Sequence, residues 1–504
     1  MSFSETQKAK SPRQQLSDAL IVLAFSVPLL AAMGLSRIFK IQIVSAVYWV
    51  LASSLALGIL TALFIFKKKM RSSFTPKGVK LRLGTWARKT FFDKSPFFEL
   101  GLQDFRNILI TGVTGCGKST LIRRMLGELN RLKRGFLYID FKGEEREIQE
   151  IIENIRSSNR ENEFQIFDLS RPEVCATRNL LTIFQSVEET VGFVMDIFKF
   201  DHPFFKEQAE MFVRNSLYLF DASRELRSFE NMMSLLKSED YRQSLLQNVD
   251  VNLHRHNFFQ YFAVDFEKLD SRTKEERFCG LASKLSPLLS GPVKAILNAR
   301  DSTFDVARLL DSNRPTIIRV PGEAFGDLSK SIVQAFINIL PLLISRRRSD
   351  MNPKDFFVFL DEQCSYTSDT ILSILKKAGS SRTHCILTRQ CDGDFDSQGP
   401  GFLSQIVSTC TTHFIFKIGD SQTRDSIAKH LGTIKSTKTT RRVNQGSETG
   451  EESLRDVHEF RVSPDDLAEL PKGECIFATN EGTGFFQRRI KVQQIENNSE
   501  QELR

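Results

Sequence analysis

The sequence predicts an α/β protein: a parallel sheet with helices on both faces, interrupted by an all-α insert and preceded by a transmembrane helical hairpin. Three observations predict it. From residue 108 onward, short apolar runs alternate with helix-like stretches, the pattern of right-handed parallel crossovers. Between about Val187 and Arg300 no strand is evident, and apolar residues recur at helical spacings, as in QAEMFVRNSLYLF and ENMMSLLKSEDYRQSLLQ. Near the N-terminus, two long charge-free apolar stretches stand close together.

Composition sets the outer bounds. At 504 residues the chain is too long for one ordinary domain. With 41% apolar and 26% charged residues it is globular, which excludes global disorder. The net charge of +8 suits a polyanion or an anionic membrane surface without demanding either. The 8 cysteines are scattered with no CxxC pair, which argues against a disulfide framework or a zinc site. His254 and His256 form an HxH that lacks a second ligand pair. Composition alone offers no reason for 43 Phe against 6 Tyr and 2 Trp.

The apolar stretches are residues 19–35 and 41–66. At about 1.5 Å per residue, the second crosses a ~30 Å hydrocarbon core with tilt to spare, and the first is at the short limit. Lys8, Lys10 and Arg13 precede the pair; Lys67, Lys68, Lys69 and Arg71 follow it. Cationic flanks stay on the cytoplasmic side, so both termini are expected there, with Arg37 and Lys40 across the membrane. A cleaved signal peptide is the alternative for the first stretch. The longer second stretch with its cationic stop opposes that alternative.

The strongest signal follows the apolar run of Ile108, Leu109 and Ile110. Gly112, Val113, Thr114, Gly115, Cys116, Gly117, Lys118, Ser119 and Thr120 fit GxxxxGK[ST] between a strand and a helix. The glycines permit turns whose N–H groups face phosphate oxygens. Lys118 is expected to reach the β and γ phosphates of ATP, and Ser119 to ligate Mg²⁺. A second element begins at Asp355: an apolar run ends in Asp361 and Glu362. Such a run reads as a central parallel strand whose C-terminal end meets ligand. Asp361 is expected to hold Mg²⁺ and Glu362 to act as general base.

Further runs complete a RecA-like reading. Residues 384–388 form a strand leading to Gln390, either a γ-phosphate sensor at the strand tip or a plain loop residue. Arg382 is either an arginine finger for a neighbouring subunit or a surface residue. Runs at 136–140, 164–168, 316–320 and 412–417 read as strands, and 331–347 as a helix. Arg346, Arg347 and Arg348 either line a pore or close that helix in solvent. The polar stretch 436–452 reads as a mobile loop. The expected organisation is a membrane anchor (1–72), a nucleotide-binding domain in two parts (73–186 and 301–490), an all-α domain (187–300) and a polar tail (491–504).

With these motifs in order, the chain resembles the TraD/TraG-type coupling proteins of type IV secretion and conjugation, within the FtsK/HerA-type motor ATPases. The resemblance rests on the hairpin, GVTGCGKST, IDFKGE, FVFLDE, ILTRQ, the helical insert and the late segment SLRDVHEFRVSPDDLAELPKGECIF. It implies a homohexameric ATPase in the bacterial inner membrane, two-pass with its body in the cytoplasm. Such a motor takes a relaxase-bound single DNA strand, or a protein substrate, to a type IV secretion channel. A chromosome-partition translocase would want more membrane spans and a DNA-reading winged-helix end. A receptor that only binds nucleotide would need no base at Glu362. Where relatives often carry an arginine directly after glycine, this chain has Gly379-Ser380, and the next arginine is Arg382.

Overall fold

A computed structural model gives the structure of the chain. It describes residues 51–55, 57–58, 78–87, 95–102, 106–198, 200, 202–306, 309–310, 314–348, 354–361, 369–444, 447–480 and 485–493. The expected membrane hairpin therefore lies outside the described residues, apart from helical residues 51–55 and 57–58. The stretch 496–504 and Glu362 lie outside them as well.

β1 (Lys80–Trp86) and β2 (Phe97–Gly101) form an antiparallel pair. β3 (Ile108–Thr111) runs into α1 (Lys118–Arg131), and β4 (Gly135–Asp140) into α2 (Glu145–Ser157). β5 (Gln165–Asp168) leads to the insert. The insert holds α3 (Val187–Ile197), α4 (Pro203–Ser223), α5 (Phe229–Lys237), α6 (Glu239–Gln247), α7 (Ser271–Leu285) and α8 (Gly291–Leu297). β6 (Pro315–Arg319), α9 (Asp327–Arg347), β7 (Phe356–Leu360) and α10 (Asp369–Ala378) return to the sheet. β8 (Thr383–Arg389), α11 (Phe402–Thr409), β9 (Thr412–Ile415) and α12 (Ser421–Leu431) follow. Then come β10 (Thr433–Asn444), β11 (Ser447–Phe460), α13 (Pro464–Ala468), β12 (Glu474–Thr479) and β13 (Phe486–Val492).

The main sheet has the order β2-β1-β13-β12-β9-β3-β8-β7-β4-β6-β5. From β9 to β5 all neighbours are parallel. β12, β13, β1 and β2 extend it as an antiparallel wing. The sheet is thus mixed where the sequence suggested a parallel one. A strand added by hairpin needs no crossover helix, so the alternation that marks parallel strands is absent there.

Alternate residues of each strand supply two apolar layers, as the two-residue strand period requires. Ile108, Ile110, Phe136, Tyr138, Phe357 and Phe359 face α1 and α2, whose Leu121, Met125, Ile148 and Ile152 are buried with them. Leu109, Leu137, Ile139, Val358 and Leu360 face the layer containing α9 and α10. Among the described residues, α9 is the helix long and apolar enough to cross a membrane, and most of it is buried inside the protein. It is the core helix of this face.

The insert shares that second layer, because its apolar cluster is continuous with the sheet's. Phenylalanine fills it. Phe212 meets Phe262, Phe266 and Phe278 with ring centroids 5.7, 5.6 and 5.3 Å apart. Phe167 bridges to Phe304 and Phe336 at 5.8 and 5.0 Å. Inclined aromatic pairs at such distances add to the burial of their area. The phenylalanine excess is therefore a core property.

Two expectations change. Residues 436–444 and 447–452 are not a mobile loop but part of an antiparallel ribbon, β10 with β11. Threonine-rich strands outside the main core need no apolar alternation, so the pattern is silent about them. Arg347 neither lines a pore nor faces solvent. It is buried at the end of α9 and donates to the carbonyls of Ser381, Leu310 and Lys354. Arg346 and Arg348 on either side of it are exposed.

A buried histidine makes stability pH-dependent. His413 on β9 packs 5.0 Å from the ring of His430. Burial, aided by His430 and Arg389, lowers its pKa from 6.5 to about 3. Its contribution to stability is present above the unfolded value and is lost as pH falls below it. Between about pH 7 and pH 5 the loss should be on the order of 2 kcal/mol. Melting curves of wild type and His413→Gln across that range should show a shallower pH slope in the variant. Equal slopes would refute the assignment.

Candidate functional site

The C-terminal ends of β3, β7 and β8 meet because β8 lies between the other two. Around them opens a cleft of about 260 Å³. Thr114, Gly115, Gly117, Lys118, Ser119 and Thr120 line one wall; Asp361, Thr388 and Gln390 line another. The two motifs, far apart in sequence, face a common space.

The phosphate loop is built tightly. A Cβ on Gly112 would stand 2.7 Å from both Cys116 Sγ and Phe416 Cβ. Gly115 and Gly117 have φ of +74° and +124°, which side chains oppose. The Gly112 N–H donates to the Arg389 carbonyl at 3.1 Å, and the Val113 N–H to the Lys417 carbonyl at 3.0 Å. The loop therefore hangs between the tips of β8 and β9. Lys118 donates Nζ to the carbonyls of Gly112 and Val113 at 2.5 and 3.1 Å. Cys116 is buried, and burial raises its thiol pKa against the pull of Lys118. It remains a neutral packing residue.

Across the cleft, Asp361 accepts from Thr388 Oγ1 at 2.8 Å and from the Tyr138 hydroxyl at 3.4 Å. Thr114 Oγ1 donates to Gln390 Oε1 at 3.3 Å. That bond ties the strand tip to the phosphate loop. Arg389 beside it is buried and donates to Thr111 Oγ1 at 3.0 Å and to Asp392 at 2.7 Å.

Arg382 sits elsewhere. It precedes β8, at the N-terminal end of strands whose C-terminal ends form the cleft. Its Nε and Nη2 donate to the two oxygens of Asp355 at 3.0 Å, and His384 joins the same carboxylate at 3.1 Å. Seven extended residues separate it from the strand tip, roughly 23 Å. It does not serve its own cleft; any role on phosphate requires a neighbouring subunit.

Several residues of the cleft escaped the sequence reading. Lys142, Glu144 and Glu147 arrive from the β4–α2 segment, and Lys472 from the turn before β12. Glu147 accepts a hydrogen bond from Ser119, and burial raises its pKa. Behind them lies Asp140, which burial, partly offset by the Gly143 N–H and reinforced by Asp361, raises to about 7. The segment IDFKGE signalled Lys142 and Glu144 in outline. Nothing local signalled Glu147, one helical turn further on.

The donor set can be tested against magnesium. Among the described residues no group of three His, Cys, Asp or Glu side chains is gathered to hold a metal alone. Ser119, Asp361 and Thr388 offer a few hard oxygens beside a phosphate loop. That is what Mg²⁺ takes, since it completes its shell with water and substrate phosphates. The residues fit.

The comparisons agree with this geometry. Residues 355–472, from the start of the acidic strand to Lys472, match the family described as the TraM recognition site of TraD and TraG. Among solved structures, the unbound bacterial conjugative coupling protein TrwBdeltaN70 is similar at a TM-score of 0.59 and 14% identity, over 78% of this chain and 86% of that one. The plasmid coupling protein TrwB in complex with ADP and Mg²⁺ is similar at 0.56 and 14%, over 84% and 97%. VirB4 of Thermoanaerobacter pseudethanolicus is similar at 0.52 and 13%, over 84% and 99%. At such identities the likeness establishes the fold. No curated protein sequence matches the chain. The resemblance to TraD/TraG-type coupling proteins is borne out by the matched family and the shared fold.

Proposed function

We propose that this chain is a membrane-anchored coupling ATPase that drives a relaxase-bound single DNA strand into a type IV secretion channel. One observation carries the reading: the loop around Lys118 and the carboxylate of Asp361 line one cleft, with Gln390 bonded to Thr114 between them. Lys118 would hold the β and γ phosphates of ATP, and the Gly115 and Gly117 backbone would cradle them. Ser119 and Asp361 would hold Mg²⁺, whose charge offsets that developing on the transferring phosphoryl oxygens. Glu362, next to Asp361 in sequence, would take the proton of the attacking water. Gln390 would report the γ-phosphate to the loop through Thr114. In a homohexamer, Arg382 would act only on a neighbour's nucleotide, after leaving Asp355.

The membrane part rests on the charge-free stretches 19–35 and 41–66 and their cationic flanks. Leu51 and Leu55, within the second stretch, are 61% and 68% exposed. Both termini and the ATPase body would then be cytoplasmic. The match to a TraM recognition site supports docking of a relaxosome component on residues 355–472.

DNA-stimulated ATP turnover tests the reading. Wild type should hydrolyse ATP faster with single-stranded DNA. Glu362→Gln should bind ATP and lose turnover by about 10²–10⁴-fold, the usual worth of a general base. Equal turnover in both proteins would remove the mechanism. Turnover indifferent to DNA would favour export of a protein effector.

A further inference from the structure

We propose that Lys472 is a second nucleotide-binding lysine, carried to the phosphates by the antiparallel wing. The proposal rests on the cleft being an ATP site and adds a ligand group to it. Lys472 lies in the turn between α13 and β12. The Glu474 N–H donates to the Pro471 carbonyl at 3.0 Å, and Gly473 has φ of +80°. A closed four-residue turn with a left-handed third residue has type II character, which demands glycine there. Lys472 occupies the second, corner position, and the corner is turned into the cleft.

The turn is fastened to the phosphate loop itself. The Gly473 N–H donates to the Cys116 carbonyl at 2.9 Å. A Cβ on Gly117 would approach Gly473 Cα to 3.3 Å, so the two backbones are in close contact. The Gly473 carbonyl accepts from the Val492 N–H at 2.8 Å, which joins the same turn to β13. The corner is therefore held on both sides, and its lysine stands at a set place over the loop.

Charge supplies the chemistry. Two other cleft cations are committed: Lys142 pairs with Glu144, and Arg123 with Glu150. Among the described residues Lys472 carries no ion pair, and it is exposed. An ammonium at the rim of a phosphate cleft, with its backbone fixed, recognises a polyphosphate as a point charge. The wing and the phosphate loop would thereby respond to nucleotide as one piece.

Binding of a fluorescent ATP analogue to the full-length protein, with Mg²⁺, tests this. Lys472→Ala should weaken binding by about five- to twentyfold, the usual worth of a charge-assisted contact. Lys472→Glu should weaken it more, and Lys472→Arg should stay near wild type. The melting temperature without nucleotide should not move, since the side chain is exposed. If Lys118→Ala loses binding while Lys472→Ala stays within about twofold of wild type, Lys472 is excluded and the ATP site stands. If wild type binds no ATP, both fall.

Discussion

Lys118→Ala should reduce ATP turnover by roughly a thousandfold or more and leave the fold intact. The ammonium stands at the first residue of α1, in contact with the Gly112 and Val113 carbonyls inside the loop. The other cleft cations are engaged or distant: Arg123, further along α1, pairs with Glu150, Lys142 with Glu144 and Arg389 with Asp392, and Lys472 stands at the rim. Arginine should not rescue, because its planar fork is larger than the space a compact ammonium fills. The core beneath the loop is made of Leu121, Met125 and neighbouring strand residues, none of which touches the charge, so the melting temperature should hold. Turnover within about tenfold of wild type would contradict the placement of the phosphates.

Arg319→Met should destabilise the protein by about 3–5 kcal/mol, the cost of stripping a cation from buried carboxylates. Arg319 closes β6 and is itself buried. It donates to Asp168 at 3.0 Å, to Ser170 at 2.9 Å and to the Gly143 carbonyl at 2.5 Å. It also pairs with Glu145 at 2.8 Å and stands 3.8 Å from Asp140. Without it, buried Asp140 loses its cation, Asp168 keeps only Arg171 at 3.6 Å, and the turn carrying Lys142 and Glu144 loses its side-chain tie to β6. The penalty should depend on pH. The pKa of Asp140 is already raised from 3.8 to about 7, and Arg319 is one of the groups holding it down. Removing the arginine raises it further. The charged form then costs most above that pKa, so the penalty is largest in alkaline buffer and shrinks as pH falls. Melting curves of both proteins at several pH values measure this. A gap that widens in acid would contradict the sign.

The nucleotide site was legible where chemistry is written locally. Gly112 to Thr120 is one unbroken segment, and Gly115 and Gly117 are dictated by left-handed backbone within it, although Gly112 is also demanded by Phe416 from a distant strand end. The run from Phe356 to Asp361 was equally plain, since a strand buried on both faces must be apolar throughout. Less was legible where a residue serves by arriving from elsewhere. Arg382 looked free in sequence, yet Asp355, itself bonded to His384, holds it at the far end of the sheet. Arg347 looked like part of a solvent-facing basic run, yet it seals three carbonyls inside.

By itself, then, the sequence determined the elements and the chemistry that lies within each: the phosphate loop, the acidic strand, the helical insert and the apolar N-terminal stretches. Those follow from interactions between near neighbours, and period and spacing record them directly. Only the folded chain decided that β8 stands between β3 and β7, that a mixed wing closes the sheet, and that Thr388, Glu147 and Lys472 share the cleft with Lys118. Strand order and turn docking are set by contacts between residues hundreds of positions apart, and no local pattern encodes which distant surface will be met.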